Sequence, residues 1–190
     1  MAAAGNLDAL KGLIALDDGQ AYKELFVLYY PRLLLFSYSF THCKESAEEI
    51  VSDVFLKIWL RRKSIPEIEN LHLYLYISTK NLSINRVLKQ KREKTFSLDE
   101  VKVEFESIYF NPEQLYITSE MFKRIQFAIK QLPPKCQLIF KLVKEDGLKY
   151  KQVAELLNLS VKTIESQMAI AVRKISLCLQ FDMARAVSPQ

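Results

Sequence analysis

The sequence predicts an all-α protein built as two small helical domains joined by a flexible linker. Three observations predict it. Apolar residues recur at helical spacing along most of the 190 residues, strand-like alternation is nearly absent, and four Gly and six Pro are too few for a sheet with many turns. A hydrophobic fraction of 49% also excludes a largely disordered chain. In order, helices are expected over residues 8–16, 20–41 with a bend near Pro31, 46–63 and 70–91, together one bundle spanning 1–92. Residues 93–111 mix charges, Ser and scattered aromatics without helical period and read as the linker. The second domain, 112–182, is expected to carry a helix over 112–131, a break at Pro133 and Pro134, and a helix over 134–145 stopped by Gly147. Residues 183–190 are left as a tail. Internal repeats and low-complexity tracts are absent.

Residues 147–175 are the most informative stretch. They read as two short amphipathic helices joined by a tight turn. Val153, Ala154, Leu156 and Leu157 give the first a buried side, Asn158 suits a left-handed turn position, and Ser160 is placed to cap the second. At about 100° per residue, Val161, Ile164, Met168, Ala171 and Ile175 share the packing side of the second helix, while Lys162, Ser166, Ala169 and Arg173 gather on the other. Small and hydrogen-bonding side chains flanked by cations suit entry into a major groove, where Lys and Arg meet phosphates. Glu165, on the flank, can accept from a cytosine amino group. A solvated helical hairpin shows the same apolar spacing, but the offsets of Ala154, Asn158, Ser160 and Ile164 match a helix-turn-helix register and favour DNA binding.

Charge is unevenly spread. The 27 Lys and Arg against 22 Asp and Glu give a net +5. Lys80, Arg86, Lys89, Lys91, Arg92 and Lys94 form a basic block, followed by an acidic one of Asp99, Glu100, Glu104, Glu106 and Glu113. Cys43, Cys136 and Cys178 are odd in number and far apart, and His42 and His72 add no ligand cluster, so neither a disulfide framework nor a metal site is expected. No cofactor is implied either. Acidic residues interrupt the first twenty positions where a signal peptide needs an apolar core, and the apolar run 25–40 is broken by Pro31 and Arg32. A cytoplasmic protein is expected.

In the third helix, a buried face centred on Val51 gathers Ala47, Val54, Phe55 and Ile58 and leaves Glu49, Asp53, Leu56 and Leu60 opposite. An exposed apolar stripe edged by acids suits a partner helix bearing basic residues. The same spacing is met equally well if Leu56 and Leu60 pack on another helix of the bundle. In the fourth helix, Tyr74 and Tyr76 precede a basic end. Aromatic faces stack on unpaired bases and cations track the backbone. Core tyrosines are the commoner state, and the neighbouring cations tilt the balance towards single-stranded DNA. Asn81 can hold a nearby loop, and the loop 64–70 is expected to be open enough to receive an extruded base.

Taken together, three motifs in order resemble the extracytoplasmic-function (group four) sigma factors, the two-domain promoter-recognition subunits of bacterial RNA polymerase. AEEIVSDVFLKIW at 47–59 is similar to the family's polymerase-binding helix, and YLYISTKN at 74–81 to the opening of its promoter-melting helix. LPPKCQLIF at 132–140, YKQVA at 150–154 and SVKTI at 160–164 are similar to its second DNA-binding domain. The resemblance implies that Glu49, Asp53, Leu56 and Leu60 dock on the clamp helices of the polymerase largest subunit, with the flap as a further polymerase contact. It implies minus-ten contacts by Asn70, Tyr74, Tyr76, Lys80, Asn81, Arg86 and Lys89, and minus-thirty-five contacts by Ser160, Lys162, Thr163, Glu165, Ser166, Ala169 and Arg173. It also implies an anti-sigma partner. Cys136 stands where Arg is common, Thr79 and Lys80 replace the usual Ala and Arg, and Ala169 is smaller than usual, departures that bear on promoter sequence. The leading expectation is a promoter-specificity factor that is not an enzyme. The alternative is a stand-alone activator or repressor that dimerises on a palindrome. A nucleic-acid enzyme is disfavoured because no His and carboxylate constellation or phosphate-cradling Gly loop appears.

Overall fold

The computed structural model describes residues 2–91 and 119–186, with side chains over 7–89 and 123–178. Every regular element among them is helical: α1 (Ala2–Ala15), α2 (Gly19–Thr41), α3 (Lys44–Leu60), a 3-10 helix (Arg62–Glu67), α4 (Leu71–Lys91), α5 (Ser119–Lys130), α6 (Pro134–Lys144), α7 (Tyr150–Leu157) and α8 (Val161–Ala186). The chain divides into two compact units, Met1–Lys102 and Val103–Gln190. The expected linker and the first seven residues of the helix expected at 112–131 lie outside the described residues.

In the first unit, α2 packs against both α3 and α4, and α3 against α4. Asp18 starts α2: its carboxylate accepts from the Gln20 and Ala21 amides at 2.8 and 3.1 Å, satisfying donors that a helix start leaves unpaired. The helix is continuous through Pro31, which is exposed on its surface, and it ends at His42 in the left-handed conformation. The core is built from Leu25, Leu33, Phe36 and Phe40 of α2, Ile50, Val51, Val54, Phe55 and Ile58 of α3, and Leu71, Leu75 and Tyr76 of α4. Where α2 meets α4, Ser37 and Ser83 share a buried hydrogen bond of 2.9 Å, and Thr79 and Ser83 return hydroxyls to carbonyls of their own helix at 2.8 Å. These small polar residues satisfy themselves locally and so tolerate burial.

Several boundaries differ from expectation. Helix α1 begins at Ala2 instead of residue 8. Helix α3 stops at Leu60 instead of running to 63, and the chain tightens into the 3-10 helix, with Ser64 N–H bonding to the Arg61 carbonyl at 2.9 Å. Burial of Ile65 holds that segment down, and Pro66, which has no N–H, prevents an α-helical continuation. The expected open loop at 64–70 is therefore partly helical. Helix α8 also passes residue 182 and runs to Ala186.

In the second unit, α5, α6 and α7 all pack on α8. Gly147 at φ +74° turns the chain out of α6, as its conformational freedom allows. Lys141 and Glu145 form a buried ion pair of 2.8 Å at the end of α6.

Candidate nucleic-acid interface and docking face

Helices α7 and α8 are joined through Asn158 at φ +54°, ψ +46°, the left-handed position expected of it. Val153, Ala154, Leu156 and Leu157 are buried against Ile164, Met168 and Ala171. Ser160 Oγ accepts from the Thr163 amide at 3.0 Å and exchanges a 2.8 Å bond with the Thr163 hydroxyl, so both hydroxyls are committed to starting α8. Lys162, Glu165, Ser166, Ala169 and Arg173 are exposed along the same helix. Ser166 turns its hydroxyl to the Lys162 carbonyl at 2.9 Å, a bond it can exchange when a better acceptor approaches. Val161, expected on the packing side, is the first residue of the helix and is exposed. Cys136 is buried, with its thiol donating to the Gln167 carbonyl at 3.3 Å; burial raises its pKa above the usual thiol range.

On α3, Ala47, Val51, Val54, Phe55 and Ile58 face inward, and Leu56 and Leu60 are left 54% and 68% exposed beside exposed Asp53 and Glu49. The alternative in which those leucines pack inside the bundle is overturned: α2 and α4 occupy the opposite side of α3. Glu49 pairs with Arg86 of α4 at 2.8 Å. Two residues expected to serve different partners are thus joined to each other across α3 and α4.

The residues expected to meet unpaired DNA divide into two groups. Tyr76 is 0% exposed, with its ring against Phe36 and His72 at 5.1 and 5.3 Å, and Lys80 is 9% exposed. Burial pushes the Lys80 ammonium below its usual pKa. Both expectations are corrected for the same reason: α4 is gripped by α2 and α3 together, so positions 76, 79, 80, 83 and 87 turn inward. Asn81 and Lys89 are exposed, and Tyr74 is half-buried. Asn70 is exposed and caps α4, its side-chain oxygen accepting from the Leu73 amide at 2.9 Å.

Tyr74 also lines a cavity of about 270 Å³, together with Lys57, Ile58 and Arg61 of the α3 end and Ser64, Ile65, Glu67 and Ile68 of the following segment. An aromatic ring, two cations, one carboxylate and three isoleucines line it, groups able to stack on and hydrogen-bond to a flipped base. Lys57 and Arg61 were not singled out from the sequence. The run Arg61, Arg62, Lys63 was visible, but its position beside Tyr74 depends on the packing of the 3-10 helix. Among the described residues there is no group of three or more His, Cys, Asp or Glu placed to hold a metal ion, and no helix is long and apolar enough to cross a membrane.

The arrangement is that of a two-unit helical protein with a helix-turn-helix in the second unit and an exposed leucine stripe edged by acids in the first. Comparison with known families makes the class specific: residues 25–93 match the sigma-70 region 2 model and residues 122–175 the sigma-70 region 4 model, together more than half of the chain. The chain belongs to the extracytoplasmic-function RNA polymerase sigma factors. It is 23% identical over 157 residues to the sigma factor SigW of Bacillus subtilis (strain 168), covering 79% of this chain and 84% of that one. It is 25% identical over 126 residues to the sigma-E factor of Escherichia coli (strain K12), covering 63% and 66%. Among solved structures, CnrH in complex with the cytosolic domain of CnrY aligns with a TM-score of 0.51 at 18% identity, covering 92% and 97% of the two chains. The sigma factor RpoE of Bartonella quintana, in complex with the anti-sigma factor NepR, aligns with a TM-score of 0.51 at 20% identity, covering 85% and 98%.

Proposed function

We propose that this sigma factor carries core RNA polymerase to a set of promoters in the cytoplasm and helps to open them, performing no bond chemistry of its own. The observation that carries this reading is the exposed Leu56 and Leu60 stripe beside Asp53, on a helix whose other side is fully packed. It suits the clamp helices of the largest polymerase subunit: leucines supply burial and the acid fixes register against basic residues. Glu49 joins that face while also tying α3 to α4 through Arg86.

The cavity beside Tyr74 receives a base extruded from the minus-ten element, with Asn70, Asn81 and Lys89 along the approach. Tyr76 and Lys80 shape α4 from within, and Arg86 ties it to α3 through Glu49 nearer the surface. Helix α8 enters the major groove of the minus-thirty-five element, where Lys162 and Arg173 meet phosphates and Glu165, Ser166 and Ala169 face base edges. Ser160 and Thr163 set the start of that helix. The second unit is held to the polymerase at the flap. An anti-sigma protein restrains the factor, in keeping with the complex of the Bartonella RpoE with the anti-sigma factor NepR.

Run-off transcription from fragments of the source genome tests this proposal. Added to core polymerase, the protein is expected to direct initiation at discrete sites that core alone ignores. Failure to do so, together with tight binding of a palindromic duplex by the protein alone, would replace it with a dimeric stand-alone regulator.

A further inference from the structure

One wall of the cavity is a 3-10 helix of six residues, a conformation with little stability of its own. Its two ends are held from outside by the N-terminal helix and the turn that follows it. At the far end, Lys11 of α1 is only 8% exposed, and its ammonium donates to the Ile68 carbonyl at 2.9 Å and to Asp8 at 2.8 Å. At the near end, Arg62 pairs with Asp17 in the turn after α1, lies over the Trp59 ring at 4.7 Å, and donates to the Trp59 carbonyl at 3.0 Å. Asp17 holds a left-handed backbone at φ +66°, uncommon for a residue other than Gly. Lysine is among the costliest side chains to bury, and here its charge is used on a main-chain carbonyl 57 residues away. Neither Lys11 nor Asp17 lines the cavity; Ile68, whose carbonyl Lys11 holds, and Arg61, the neighbour of the Arg62 that Asp17 holds, do.

We infer that α1 and its turn form a two-ended clamp that sets the shape of the base-receiving cavity, making Lys11 and Asp17 positioning residues for unpaired DNA. The inference rests on the proposed role of that cavity. A recognition pocket tolerates displacement of only about 0.5 Å in the groups that line it. Releasing either end frees the wall without removing any group that meets the base.

The test uses polymerase holoenzyme formed with the full chain. The probes are promoter forks whose single-stranded minus-ten segment is intact or carries an abasic site at successive positions. The unaltered protein is expected to lose affinity at one position when the base is missing. Lys11→Met is expected to weaken binding of the intact probe about tenfold, the loss that removing a charged hydrogen bond brings, and Asp17→Asn, which discharges an exposed ion pair, about two- to fivefold. Both should leave binding of that abasic probe unchanged, and Lys11→Arg should restore much of the loss. Equal weakening on both probes, or no weakening on either, overturns the clamp. If no abasic position affects the unaltered protein, the cavity itself is not a base site, and the inference falls with that reading. Should Lys11→Met fail to fold, Asp17→Asn decides alone, since it changes an exposed side chain and Asn accepts the left-handed backbone.

Discussion

Truncating Leu56 and Leu60 separates docking from folding more cleanly than any other change on this surface. With 54% and 68% of their surface open in the free protein, each has roughly half to two thirds of its burial still to gain. Complete burial of a leucine is worth about 1.5–3 kcal/mol, so each offers a partner about 1–2 kcal/mol. Leu56→Ala and Leu60→Ala should therefore each weaken binding of core polymerase about 5- to 30-fold. Folding stability should change by less than about 0.5 kcal/mol, because the sites are exposed and Ala is an excellent helix former. Titrating labelled core polymerase with each variant measures the first effect, and thermal unfolding of the free protein the second. Leu33→Ala, at a position with no exposure, provides the contrast, with an expected loss of about 2–5 kcal/mol in stability. Unchanged polymerase affinity in both surface variants would refute the docking face. So would a loss of affinity matched by an equal loss of stability.

Three further outcomes follow from particular contacts. Asn70→Ala should lower stability by about 1 kcal/mol through loss of the α4 cap, while Asn70→Asp retains it; denaturant titration of the two variants checks this. Arg173→Ala should weaken promoter binding to a similar degree across sequences and flatten its salt dependence, whereas changing Ser166 should alter base preference in a sequence-selection assay. Cys136 should react with a thiol reagent far more slowly than half-exposed Cys43 and Cys178, and catch up only on unfolding, because burial both shields it and raises its pKa; timed mass spectrometry of the modified protein reads this directly.

The all-α class, the left-handed turn at Asn158, the cap at Ser160 and the two faces of α3 were legible in the chain. Each rests on local physics: helical period, the conformational tolerance of Asn, a hydroxyl within reach of a helix start. The inward and outward sets of α3 came out as expected because that helix packs on one side only.

Helix α4 did not, because two neighbours grip it at once. A tyrosine and a lysine with ordinary DNA-binding credentials, Tyr76 and Lys80, were thereby drawn into the core. The Glu49–Arg86 pair, the reach of Lys11 to Ile68 and the cavity walled by the 3-10 helix join residues far apart in the chain. Composition and periodicity determined which segments are helices and which sides of them are apolar, since those depend on neighbours three or four residues away. Only tertiary packing decided which polar side chains remain open to a partner, because a side chain's exposure is set by the other elements that close over it.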